Sequence, residues 1–477
     1  MLAIPRFWWF TLASLVAMTA CVSVVVLGAR VMQNGYGCLY LDGEDVTMLD
    51  TTSGRTFRAA TWTPEAKPTG NDPYVFSPDR KSLAFFKATG PRALTVEHSN
   101  TPIPTNKAFT FFSINALSVE DILWSPTGRL IAYHWREGTG TDTRHYVAIA
   151  DANGKMIQQT KLEVDISNLL ELDSWSPDEN YIALLKGGNP TRSMIFLSVP
   201  ELQLVDGSEN GYRVGSGCGF SGYGHLDCHP WAANGHIAAY TATNDSGKAH
   251  LIIKVPGETN QQSFDLPDST HHTVQWSRNS DFVAVGSFNL RTDYSGKEAR
   301  IDIFGVDGKV YPNIGRAVEA NLYVSDTTIY AEMQWSPDGK SLYYARLNST
   351  DETQDDIMRY QVDTGQTKVL LTAPSAGPTE TFFYIAPDSQ TAAFYLRNGD
   401  LYIVSIDGNV LAHFETRYLS ADNLVWSPDS SAMVYPTYDS QAYTEILTVI
   451  STTGKRLGRF PERSFTRGVT WTQCNMP

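Results

Sequence analysis

The chain has 477 residues, of which 42% are hydrophobic and 12% aromatic, and it carries a formal charge of −14. That is ample apolar material for a packed core and excludes broad disorder, while so acidic a surface repels phosphate backbones and excludes nucleic acid as a partner. Length alone would allow three domains, but one repeat covers nearly all of the chain, so a single large domain is expected.

Residues 7–27 carry no formal charge and are rich in Val, Leu, Ala, Phe and Trp. As a helix this run spans roughly 31 Å, enough to cross the hydrocarbon core of a bilayer. An uncleaved signal-anchor over residues 1–30 is the expectation. Its rivals are a cleaved secretory signal and a lipoprotein, since Met18-Thr19-Ala20-Cys21 resembles a cleavage box in which Cys21 would be acylated. Against the lipoprotein, the chain stays apolar through Leu27. Arg6 on one side, with Arg30 and then Asp42, Glu44 and Asp45 on the other, orients the N-terminus inside and the large domain outside, periplasmic or at the cell surface. Residues 31–38 form a short tether, at most roughly 30 Å when extended.

From residue 39 to 477 the pattern is repetitive. Residues 39–50 match residues 394–405, so the chain enters partway through a repeat. The repeat is centred on an aromatic followed by a turn, and its fullest copy is Trp335-Ser336-Pro337-Asp338-Gly339. Proline presets φ at the second turn position and glycine suits the fourth. Its anchors are Phe76, Trp124, Trp175, Trp231, Trp276, Trp335, Ile385 and Trp426, with a truncated copy at Trp471. Eight residues after the first eight anchors stand Ala84, Ala132, Ala183, Ala239, Ala284, Tyr343, Ala393 and Val434, a constant register inside an apolar strand. Third strands such as Tyr146-Val147-Ala148-Ile149-Ala150 follow, then turns at Asp151-Ala152-Asn153-Gly154, Asp307-Gly308 and Asp363-Thr364-Gly365, then a more polar fourth strand.

Short strands recurring every 40 to 60 residues or so are the signature of propeller blades. The expected fold is therefore all-β: a single β-propeller of eight to nine four-stranded blades plus one N-terminal transmembrane helix. Gly468-Val469-Thr470-Trp471 is the expected first strand of the blade that residue 39 enters, so that both ends of the chain close the ring and leave no open sheet edge between first and last blades. The Trp-Ser-Pro-Asp-Gly unit followed by an aliphatic strand resembles the repeat of TolB-like, WD40-like propellers. The resemblance covers residues 39–473 and implies the fold; that family hosts many unrelated activities.

Seven of the eleven tryptophans sit at anchors, and their repeated placement points to packing between blades rather than carbohydrate stacking. Cys218 and Cys228 bracket a glycine-rich loop and in an extracytoplasmic domain are expected to form a disulfide. Free thiols, or a zinc site with His225 and His229, are the alternatives. Cys38 and Cys474 lie at the two ends meeting in the composite blade, but their register is imperfect and their bond stays open.

Asp121, Asp173, His229 and Glu332 precede their anchors on the innermost strands and form a possible axial ligand site, with ordinary channel solvation as the alternative. Asp351, Glu352, Asp355 and Asp356 read as an acidic loop without an EF-hand pattern, and His271-His272 as a solvated loop pair. Around Ser221 the second glycine of a nucleophile elbow is missing. No cofactor is expected. The functional expectation is a non-catalytic module that binds a protein partner through loops on one face; the rival is an enzyme or ligand sensor, acting on a saccharide or peptide, with a pocket on the axis.

Overall fold

The computed structural model describes residues 38–42, 47–51, 56–58, 74–78, 82–86, 94–98, 119–138, 143–162, 170–186, 193–207, 230–235, 237–243, 248–269, 271–288, 298–321, 329–331, 333–347, 353–374, 381–396, 399–416, 424–439, 444–462 and 468–472. Among the described residues no helix is long and apolar enough to cross a membrane; the run 7–27 lies outside them. The regular elements described are all strands, and they assort into nine sheets.

One sheet sets the pattern. Val119–Trp124, Leu130–Glu137, Arg144–Asp151 and Met156–Leu162 lie side by side in chain order, every pair antiparallel. Ile131, Ala132, Val147, Ala148, Ile149 and Ala150 in the middle strands are fully buried, whereas Met156 and Ile157 on the last strand are half exposed. Middle strands covered on both faces need a continuous apolar run rather than an alternating one, and that is what Ile131-Ala132-Tyr133 supplies. The outermost strand reads Gln158, Gln159, Thr160, Lys161 because solvent lies beyond it.

Sheets over 170–207, 333–374, 381–415 and 425–462 repeat this plan. Those over 74–98 and 231–265 show three strands, and in the second a bridge from Trp231 to Ala238 stands in for the first strand. The sheet over 271–331 has a fifth strand, Ile329–Ala331, paired to the far end of Val310–Asn321. The ninth sheet is composite: Thr56–Arg58, Thr47–Asp50 and Cys38–Asp42 from the start of the chain, then Gly468–Thr472 from its end, with Leu39 opposite Trp471 and Cys38 opposite Thr472. Each of the nine expected copies of the repeat thus falls in a sheet.

The apolar core is divided among the gaps between consecutive sheets. Ala284, Ile301 and Ile303 of one sheet pack with Trp335, Leu342 and Tyr344 of the next; Leu39, Leu49, Val469 and Trp471 pack against Val434 and Leu447. All seven anchor tryptophans are at most 8% exposed. A buried indole N–H needs an acceptor, and five of the seven use an equivalent one. Trp175, Trp276, Trp335, Trp426 and Trp471 donate to the carbonyl of the residue just before the preceding anchor, namely Leu123, Pro230, Gln275, Tyr384 and Val425, at 2.7–3.2 Å. Trp231 reaches Ser174 Oγ instead, at 3.1 Å. These six tryptophans therefore fill inter-sheet gaps and fasten them, which excludes a carbohydrate-stacking role for their rings.

The turn after the anchor is held from within. Ser336 Oγ donates to Asp338 Oδ1 (2.5 Å) and accepts from the Ser341 amide (2.9 Å), while the Lys340 amide donates to Asp338 Oδ1 (3.0 Å). The fifth position of the motif has positive φ at Gly128, Glu179, Ser280, Gly339, Ser389 and Ser430. Glycine meets that demand without strain. Where another residue stands, its side chain accepts the backbone N–H of the fourth position in the preceding copy: Glu179 from Thr127 (2.8 Å), Ser280 from Asn234 (3.0 Å), Ser389 from Asp338 (3.1 Å) and Ser430 from Asp388 (2.9 Å). Departures from the motif are thus blade-to-blade latches. Replacing Ser389 by alanine is expected to cost about 1 kcal/mol, measured as a shift of the denaturant midpoint; an unshifted midpoint would show the latch to be idle. Gly339→Ala should cost more, about 2–3 kcal/mol, because a Cβ there would lie 2.8 Å from the Asn279 backbone nitrogen.

Antiparallel connectivity sorts the connections onto two rims. Turns joining first to second and third to fourth strands, such as 125–129 and 152–155, lie on one rim, the turn rim. Connections joining second to third strands, and a fourth strand to the next sheet, leave from the other. This second rim is called the connector rim below.

Candidate functional site

Polar groups inside the sheets gather toward the connector rim. In the sheet over 119–162, His134 and His145 are buried and stacked, with ring centroids 5.2 Å apart and planes 9° from parallel. His134 Nε2 and His145 Nδ1 share a hydrogen bond of 3.0 Å, and Asp121 Oδ2 lies 3.5 Å from His134 Nδ1. Burial, with the neighbouring His134 and Arg136, pushes the His145 imidazole down to about 4, so it is neutral near pH 7. An aromatic series adjoins the pair: Phe86 against Tyr133 (5.3 Å), Tyr133 on Trp135 (5.6 Å) and Trp135 on Tyr146 (5.1 Å). Trp135 and Tyr146 are partly exposed. Together these residues offer stacking area beside uncharged imidazole, a combination suited to recognition.

Of the axial candidates, Asp121 and Asp173 are described. Asp121 Oδ2 accepts the Leu172 amide of the next sheet at 3.1 Å. Asp173 accepts from Ser174 Oγ at 2.5 Å, and that same oxygen receives the Trp231 indole. Both carboxylates therefore take part in joining one sheet to the next. His229 and Glu332 lie outside the described residues, as do Cys218, Cys228, Cys474, His225 and Ser221; Cys38 is described only as the first residue of its strand. Among the described residues, no three His, Cys, Asp or Glu side chains gather in a way that could hold a metal ion.

Two expectations are corrected. Asp355 and Asp356 do not belong to a loop: they lie in the strand Gln354–Gln361 and are buried. Asp356 accepts from Arg346 (3.1 Å) and Thr372 Oγ1 (2.8 Å); a carboxylate so deep in a sheet needs both partners. His271 and His272 likewise begin the strand His271–Trp276, and His272 is buried with Nδ1 2.9 Å from Ser287 Oγ. The apolar and aromatic residues that follow them continue the strand back to the histidines, a signal the adjacent polar pair obscured. Nothing in the spacing of His134 and His145 announced their contact, because it depends on how one hairpin pairs.

No protein-family model matches the chain, and no curated protein matches it. Solved structures do. A eukaryotic initiation factor is similar over 91% of this chain and 98% of its own, at 12% identity and a TM-score of 0.57. BamB from Moraxella catarrhalis is similar over 86% and 94%, at 11% identity and 0.36. The Swd1 β-propeller domain of Myceliophteria thermophila is similar over 69% and 95%, at 13% identity and 0.32. At such identities the likeness is one of fold alone, and the repeated antiparallel sheets of this chain are those of a propeller repeat fold.

Proposed function

We propose that this chain is a membrane-anchored, extracytoplasmic propeller that serves as a non-catalytic platform for a protein partner, which meets it at the connector rim. The observation that carries this reading is the division between rims: the turn rim is locked by Ser–Asp turns and blade-to-blade latches, while the Trp135–Tyr146 platform lies toward the opposite rim. Binding segments placed on a rigid scaffold lose little entropy when they dock. Pairing of Cys38–Asp42 with Gly468–Thr472 supports a ring closed by both ends of the chain. Disulfides between Cys218 and Cys228 and between Cys38 and Cys474 would strengthen it; alkylation before and after reduction, read by intact mass, counts the thiols that each bond would hide.

The test is capture of the partner from crosslinked membranes by the full chain and by two variants. Trp135→Ala is expected to weaken capture by roughly thirtyfold, the loss of one aromatic hot spot, with thermal melting as the check on folding. Lys340→Ala on the turn rim should leave capture unchanged. Equal capture by all three, or no stoichiometric partner at all, would defeat the proposal.

A further inference from the structure

The turn rim carries two features that its latches do not explain. The first is where the chain arrives. Gly468–Thr472 ends in an anchor and so runs toward the turn rim, and Cys38–Asp42 pairs with it antiparallel, Cys38 opposite Thr472. The first described strand therefore starts at the turn rim, one short tether beyond the anchor expected over residues 1–30. The second feature is a belt. Every large apolar side chain that is exposed among the described residues lies on an outermost strand. Met156, Leu204, Val310 and Val410 open four of these strands and Leu457 is second in a fifth, at 50%, 57%, 45%, 50% and 42% exposure. Each follows directly on the turn between third and fourth strands, so all five lie at the turn rim, on five different blades.

We infer that the turn rim rests on the surface of the lipid bilayer, with these five side chains at the boundary of headgroups and acyl chains. The inference depends on the anchor reading given above. A tether of at most roughly 30 Å holds the rim near the membrane, and apolar side chains there gain by leaving water for the interface. Their spread over five blades fits a planar surface, which meets all of them together, better than a protein partner of ordinary footprint. The chain's charge of −14 opposes attraction to anionic lipid, so the contact is apolar and insensitive to salt. With that rim on the membrane, the connector rim faces outward.

The experiment places benzoylphenylalanine at Val410, at Leu457 or at Tyr146 of the full chain in phosphatidylcholine proteoliposomes, with photocrosslinking read by mass. Phosphatidylcholine adducts are expected at Val410 and Leu457, unchanged by high salt, and absent at Tyr146. Adducts at Tyr146 without the other two, or crosslinks from Val410 and Leu457 to a second copy or to another protein, would overturn this placement. Release of the chain by alkaline carbonate would remove the anchor, and the placement with it. Retention without adducts at Val410 and Leu457 would remove the placement alone.

Discussion

Trp335→Ala is expected to lower the stability of the propeller by about 4 kcal/mol, the usual cost of emptying a buried tryptophan site. Trp335 is 2% exposed and stacks on Phe282 of the preceding blade with centroids 6.2 Å apart. Its indole also satisfies the Gln275 carbonyl at 3.1 Å, so the alanine variant leaves both a cavity and an unpaired acceptor between two sheets. Trp335→Phe separates these contributions: it keeps most of the ring and loses the N–H, for an expected cost of about 1–2 kcal/mol. Denaturant midpoints of the two variants measure both values. An alanine variant within about 1 kcal/mol of the parent would mean that the blades are not held together at their anchors.

The second large effect is on pH dependence. The His145 imidazole is pushed from its ordinary 6.5 to about 4 in the folded chain, so between those values the unfolded chain binds the proton and the folded chain does not. Stability is therefore fully present above pH 6.5 and is lost as pH falls through that window, by up to about 3 kcal/mol. Two groups that face the imidazole, His134 and Arg136, both disfavour its charge, and the Asp121 carboxylate lies against the far nitrogen of His134, at 3.5 Å. His145→Asn keeps a polar side chain and removes the titration, so its stability should fall less steeply between pH 6.5 and 4. Equal slopes for the variant and the parent would place the acid sensitivity elsewhere.

Strand-turn-strand punctuation around each anchor, the alanine register and the pairing of the two ends could all be read from residues alone, because each repeat states the same local pattern. Asp121, Asp173 and the histidines could not be interpreted that way. Asp121 was legible as a residue of an innermost strand, but its partner is the Leu172 amide of the next sheet. Similarly, serine at positions 280, 389 and 430 looks like decay of the Trp-Ser-Pro-Asp-Gly unit until the neighbouring turn is in view. Asp355 and Asp356 gave a false loop because charge normally marks solvent, and Arg346 and Thr372 help make burial of Asp356 tolerable.

Residue order by itself determined the blade and its repetition, since hydrophobic runs and turn residues act over a few positions and need no distant partner. Tertiary structure alone decided what passes between blades: where indole and serine donors find acceptors, which carboxylates are buried, and on which rim the apolar side chains emerge. Those depend on residues some fifty positions apart being brought within hydrogen-bonding distance, and a repeat read along the chain carries no measure of that distance.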